Sequence, residues 1–95
     1  MNPELKHNEA QSRYELHLDG KLAGHADYRK HGDVVEFTHT ETDKAFEGQG
    51  VGSKVAAFAL EDVRRCGLKA DPRCPFIAKY IEKHPEYTDL VHPRA

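Results

Sequence analysis

Ninety-five residues, a net charge of −2 and a pI near 6.4 leave room for one domain and one core. A domain of this size buries roughly 60–70% of its unfolded surface, which excludes a large closed substrate cavity. The chain lacks the basic excess that binds nucleic-acid phosphates, and no apolar run reaches the ~20 residues of a membrane helix.

The N-terminus, Met1-Asn2-Pro3-Glu4, shows no charged-then-apolar signal pattern, so a cytoplasmic location is expected. Cys66 and Cys74 form no CxxC and no metal spacing, and without a secretion signal they read as free thiols. The seven histidines make no HxxxH and pair with no cysteine at ligand spacing, so no metal site is expected.

In chain order, residues 1–11 are polar, start no period and read as a loosely ordered lead-in. Residues 13–18 alternate, with Tyr14, Leu16 and Leu18 on one side, and predict a half-buried strand. Asp19-Gly20 is a strong hairpin signal. Residues 21–29 read as a second strand, weakened or bulged at Gly24. After the turn His31-Gly32-Asp33, the β-branched and aromatic residues of 34–40 predict a third strand and hence an antiparallel meander. A glycine-rich turn, Glu47–Ser53, then leads into a helix over about 51–66, with Val51, Val55, Phe58, Ala59, Val63 and Cys66 at helical spacing. That period places Cys66 in the core. Gly67 suits the helix C-terminus, behind Arg64 and Arg65. Residues 68–70 allow a short strand. Pro75 opens a second helix over about 75–84, which Pro85 ends. Leu90 and Val91 are the aliphatic anchors of the tail. The order is β-β-β-α-β-α, an α+β domain with a mostly antiparallel sheet.

Three glycines at alternate positions let backbone N–H groups point inward without Cβ clashes. The helix that follows adds free N–H groups and a positive dipole end. Two readings fit: a phosphate or pyrophosphate site, or a tight β-to-α connection that needs glycine for backbone reasons alone. A P-loop requires Gly-Lys-Ser/Thr, whereas the order here is Gly52-Ser53-Lys54. A dinucleotide motif requires a third glycine where Ser53 stands.

Gly48-Gln49-Gly50-Val51-Gly52 resembles the Q/R-x-x-G-x-G/A segment of the GCN5-related acetyltransferases, with Glu47 where that family has Gln or Arg. Together with His39-Thr40-Glu41 and the run from Cys74-Pro75-Phe76 to Tyr87, it makes nearly the whole chain similar to small GNAT-like, YjdJ-type domains. The resemblance implies a minimal acyl-CoA N-acyltransferase fold across residues 1–95. It also implies acetyl-coenzyme A as co-substrate, held at Gly48, Gln49, Gly50, Val51, Gly52 and Ser53. It leaves the amine acceptor undefined. A coenzyme A-binding module with little catalysis is the alternative.

Acetyl transfer to an amine needs a base and a polarised thioester carbonyl. His39 and Glu41, two apart at a strand end, are candidate bases; equally, His39 could continue the buried Val35–Phe37 face. Cys74 precedes a helix and follows Arg73, features that favour a thiolate able to accept an acetyl group; a residue filling a tight loop fits as well. In many acetyltransferases a tyrosine on the last helix protonates the leaving thiolate. Here that position falls on Ile81, beside Tyr80 and short of Tyr87. Lys79 and Lys83, four apart, form either a solvated face or a contact for the phosphates at the cofactor's adenosine end.

Overall fold

A computed structural model describes residues 3–92. The elements are β1 (Pro3–Asn8), β2 (Arg13–Leu18), β3 (Lys21–His31), β4 (Val34–Thr42), α1 (Val51–Arg65), β5 (Lys69–Pro72) and α2 (Pro75–Lys83), with 3₁₀ turns at Glu9–Gln11, Lys44–Phe46 and Pro85–Leu90. The sheet order is β1-β2-β3-β4-β5. All neighbours are antiparallel except the parallel β4–β5 pair, which α1 connects. This is the α+β architecture that the sequence pattern predicts, with one strand more.

The extra strand is β1, where polarity alone suggests a lead-in. Residues 1–2 of that lead-in lie outside the described residues. As an edge strand, β1 exposes Glu4, Leu5 and Lys6, so no buried period marks it in the sequence. His7 ties it down. Its ring stacks on Tyr14 with centroids 4.2 Å apart. Its Nδ1 lies 3.3 Å from Asp62, which leaves Nε2 to accept the Tyr28 hydroxyl at 2.6 Å. Asp62 also accepts the buried Tyr14 hydroxyl at 2.8 Å. Burial pushes the Asp62 carboxyl up, but Tyr14 and Arg65 outweigh it and hold the group below the usual range.

Asp19 and Gly20 both take positive φ, 50° and 82°, the requirement of a type I′ hairpin. Tyr14, Leu16, Ala26, Tyr28, Val35 and Phe37 line one face of the sheet. Both helices pack there, through Val55, Ala59, Leu60 and Val63 of α1 and Ile77 and Ile81 of α2. Gly24 permits the closest approach: a Cβ there would lie 2.5 Å from a Val51 methyl.

The other face is polar, and its charges are paired. Glu15 is 5% exposed despite lying on that side. It accepts from Arg13, from Asn8 at 3.1 Å, and pairs with His17 at 2.8 Å. His25 meets Asp27 at 3.0 Å, His31 meets Glu36 at 2.9 Å and Arg73 meets Asp71 at 3.0 Å. Charges paired in this way tolerate the burial they have, so this face folds without a helix over it.

Candidate functional site

Three features converge at one end of β4. The first is the glycine turn. Gly48 and Gly50 take φ of +84° and +71°, a region costly for residues with a Cβ. Gly50 is the N-cap of α1, and no side chain caps that helix. The N–H groups of its first turn are therefore left to another acceptor. Gln49 and Ser53 are exposed, whereas the Val51 side chain is buried, so Val51 offers only its backbone. Gly52 lies under the Phe76 ring; a Cβ there would approach that ring to 2.7 Å. Glu47 is exposed and closes the preceding 3₁₀ turn through its N–H to Lys44 O, outside the first turn of α1.

The second feature is a split between β4 and β5. Their pairing covers Val34–Phe37 only, while β4 runs on to Thr42. At the split Cys74 N–H donates to Phe37 O at 2.9 Å, and the chain turns into α2. Beyond Phe37, residues 38–42 have no β5 partner on that side.

The third is a cluster of histidines and carboxylates. A β-bulge leaves Thr38 without a register partner, so Asp27 opposes His39 while Tyr28 opposes Phe37. Strict alternation would put His39 on the core face with Val35 and Phe37; the extra residue turns it outward. His39 and Glu41 do share a face, 3.4 Å apart and both exposed. The same face holds His25 and Asp27, which sequence spacing does not link to them. His25 Nδ1 sits 3.0 Å from Asp27, and its Nε2 faces Glu41 at 3.8 Å. His25 is the more buried imidazole, with 15% of its side chain exposed against 59% for His39. Asp27 fixes its tautomer and leaves Nε2 as the basic nitrogen. A cavity of about 150 Å³ adjoins it, lined by Leu22, Ala23, Gly24, His25, Glu41 and Asp43.

Cys74 occupies the opposite face of β4. It is 4% exposed, and its thiol donates to the Thr40 hydroxyl at 3.3 Å. Arg73, expected to favour a thiolate, is engaged instead by Asp71. His39 and Glu41 project from the other side of the strand and cannot deprotonate Cys74 directly. Cys66 is exposed, contrary to the helical-period expectation. The helix stops at Arg65, Cys66 is its C-cap, and Gly67 leaves at φ +71°. Tyr80 stacks on His84 with centroids 4.0 Å apart, and the buried Tyr87 donates to Glu61 at 2.7 Å. Ile81 is core. Among the described residues no group of three or more His, Cys, Asp or Glu side chains is arranged to hold a metal ion, and no helix is long and apolar enough to cross a membrane.

Comparison with known proteins agrees with this geometry. A model of the GCN5-related N-acetyl-transferase family matches residues 13–90. Protein NATD1 of Mus musculus is 34% identical over 62 residues, covering 63% of this chain and 56% of that protein. Protein NATD1 of Homo sapiens is also 34% identical over 62 residues, covering 63% and 55%. The match thus spans little more than half the length of these relatives. Among solved structures, a GCN5-like putative N-acetyltransferase from Staphylococcus aureus superposes with a TM-score of 0.72 at 23% identity, covering 97% of this chain and 90% of that one. The ribosomal-protein-S18-alanine N-acetyltransferase from Escherichia coli gives 0.61 at 17% identity, covering 78% and 50%. At such identities the likeness is one of fold. With the family model matched over most of its length, and a split sheet and glycine turn to go with it, the chain belongs to the GCN5-related N-acetyltransferase family.

Proposed function

We propose that this chain binds acetyl-coenzyme A across the end of β4 and transfers the acetyl group to an amine. The observation that carries the reading is the uncapped first turn of α1, entered through left-handed Gly50, beside the cleft where β4 outruns β5. The pyrophosphate accepts from N–H groups of residues 50–53, where the helix dipole adds to the attraction. The pantetheine arm lies along residues 38–42 as an added strand, hydrogen-bonding to backbone. That places the thioester near Thr40 and Cys74.

The acceptor amine arrives from the polar face. His25, held by Asp27, takes the ammonium proton at Nε2, with Glu41 stabilising the imidazolium that forms. His39 flanks the pair at the entrance. The neutral amine attacks the thioester carbonyl, the C–S bond breaks, and the proton shed by the attacking nitrogen ends on the sulfur, so that coenzyme A leaves as the thiol. Acid catalysis of that departure needs a proton donor in reach. The structure supports Tyr80 poorly: burial first, then Glu86 and Glu61, raise its phenol pKa.

In this scheme Cys74 lines the thioester site and is not acetylated, as its burial and its bond to Thr40 favour. Intact-mass analysis after incubation with acetyl-coenzyme A checks this. No hydroxylamine-sensitive adduct is expected on wild-type, Cys74→Ser or Cys66→Ser protein. An adduct that Cys74→Ser abolishes and Cys66→Ser keeps would establish the two-step route instead. Binding itself is tested by calorimetry with coenzyme A and acetyl-coenzyme A, and turnover by thiol release with a panel of amines. Binding without release from any amine would favour a coenzyme A-binding module.

A further inference from the structure

The flank of α2 that faces the glycine turn carries a feature the transfer scheme leaves unused. A cavity of about 170 Å³ opens there, lined by Ser53 of α1 and by Phe76, Lys79, Tyr80, Lys83 and His84. Lys79 and Lys83 stand four residues apart on one helix face. Like charges at that spacing destabilise a helix. No carboxylate lies within salt-bridge distance of either, among the described residues. Lys6, Arg13, Arg64, Arg65 and Arg73 each have an acidic partner; Lys79 and Lys83 are among the described cations that have none, and are set apart by sharing one helix face and one cavity. Between the two lysines Tyr80 and His84 form a shelf, rings 4.0 Å apart and 19° from parallel. His84 Nδ1, 2.9 Å from Tyr80 O, fixes that shelf.

Two unpaired ammonium groups beside an aromatic shelf suit a planar base carrying a phosphate. Ser53 belongs both to this cavity and to the first turn of α1. A ligand with one phosphate at that turn and a second across a ribose would therefore reach both. Coenzyme A has this construction, with a pyrophosphate at the 5′ carbon and a monophosphate at the 3′ carbon. We propose that Lys79 and Lys83 read the 3′-phosphate of coenzyme A while the Tyr80–His84 shelf receives the adenine, so that the protein discriminates coenzyme A from its 3′-dephospho form. This inference rests on the proposed pyrophosphate site and adds a specificity determinant to it.

Calorimetry with coenzyme A and with 3′-dephospho-coenzyme A, at one fixed salt concentration, separates the two claims. Wild-type protein is expected to bind coenzyme A about tenfold more tightly than the dephospho form. K79Q/K83Q protein should bind both nucleotides alike, at the wild-type affinity for the dephospho form. Both positions are exposed, and circular dichroism verifies that the variant is folded. Equal wild-type affinity for the two nucleotides would overturn this inference and leave the pyrophosphate site standing. So would a preference that survives in K79Q/K83Q, or an equal loss for both nucleotides. Absence of any binding by either nucleotide would overturn both claims.

Discussion

Gly50→Val protein is expected to bind coenzyme A at least tenfold more weakly than wild type, a loss above about 1.4 kcal/mol. The argument is conformational. Gly50 sits at φ +71° with no heavy atom within 4 Å of the place a Cβ would take, so space does not oppose the substitution. Backbone geometry does. A β-branched residue in the left-handed region is strained by about 1–2 kcal/mol and relieves that strain by moving φ to negative values. Such a rotation re-aims the N–H groups that open α1, and the anion loses its cradle. The core contact of Val51 with Gly24 lies one residue on and holds the helix itself in place. Calorimetry on protein shown to be folded measures the effect. Wild-type affinity in the valine variant would mean that these N–H groups do not hold the pyrophosphate.

Glu15→Gln is expected to cost about 3 kcal/mol of the stability difference between neutral and acid pH. Burial alone would raise the Glu15 pKa, yet hydrogen bonds from His17, Arg13 and Asn8 reverse it and hold the carboxyl at about 2, against an ordinary value of 4.5. A folded-state pKa below the unfolded one stabilises the native state above pH 4.5. That contribution fades as pH falls from about 5 toward 2, because the unfolded chain takes up the proton first. A shift of this size corresponds to about 3 kcal/mol when each unit is worth 1.36 kcal/mol. Between pH 7 and pH 3 about 2 kcal/mol of this is lost, because the folded carboxyl still ionises down to about 2, and urea unfolding at the two pH values supplies the comparison. Wild type should lose much more stability than Glu15→Gln across that interval. Equal losses would show that Glu15 is not the group whose protonation weakens the fold.

Much of the architecture is legible in the sequence because local chemistry and tertiary packing agree. Tyr14, Leu16 and Leu18 alternate because one face of β2 meets α1. Asp19-Gly20 forms its turn because both residues tolerate positive φ. Pro75 begins α2 because the first helical position needs no N–H. Disagreement appears where neighbours across the sheet decide. Polar β1 is a strand because β2 supplies its hydrogen bonds along Pro3–Asn8. Asp62 is buried on α1 because Tyr14 and His7 reach it from two strands. His25 and Asp27 join His39 and Glu41 through register, and register is not written in spacing along one strand. The glycine turn is readable because its geometry lies in contiguous backbone; the cluster of candidate bases is not, because it is assembled from two strands.

The bulge at Thr38 has a consequence for how this site tolerates change. Thr38 is exposed and bonds only weakly, its hydroxyl 3.4 Å from Asp27 O. Its identity matters little, since serine or alanine would occupy the position equally well. It is the extra residue of the bulge, two steps from Phe37 to His39 against one from Tyr28 to Asp27. Deleting Thr38 would remove the bulge and leave Phe37 opposite Tyr28 and His39 opposite Asp27 in regular register, so His39 and Glu41 would stay on the polar face and Thr40 on the core face. What would invert the strand is loss of the bulge with every residue kept: regular pairing through Thr38 would carry His39 and Glu41 toward α1 and Thr40 out to solvent. In this domain one residue left unpaired keeps His39 and Glu41 on the polar face beside His25 and Asp27.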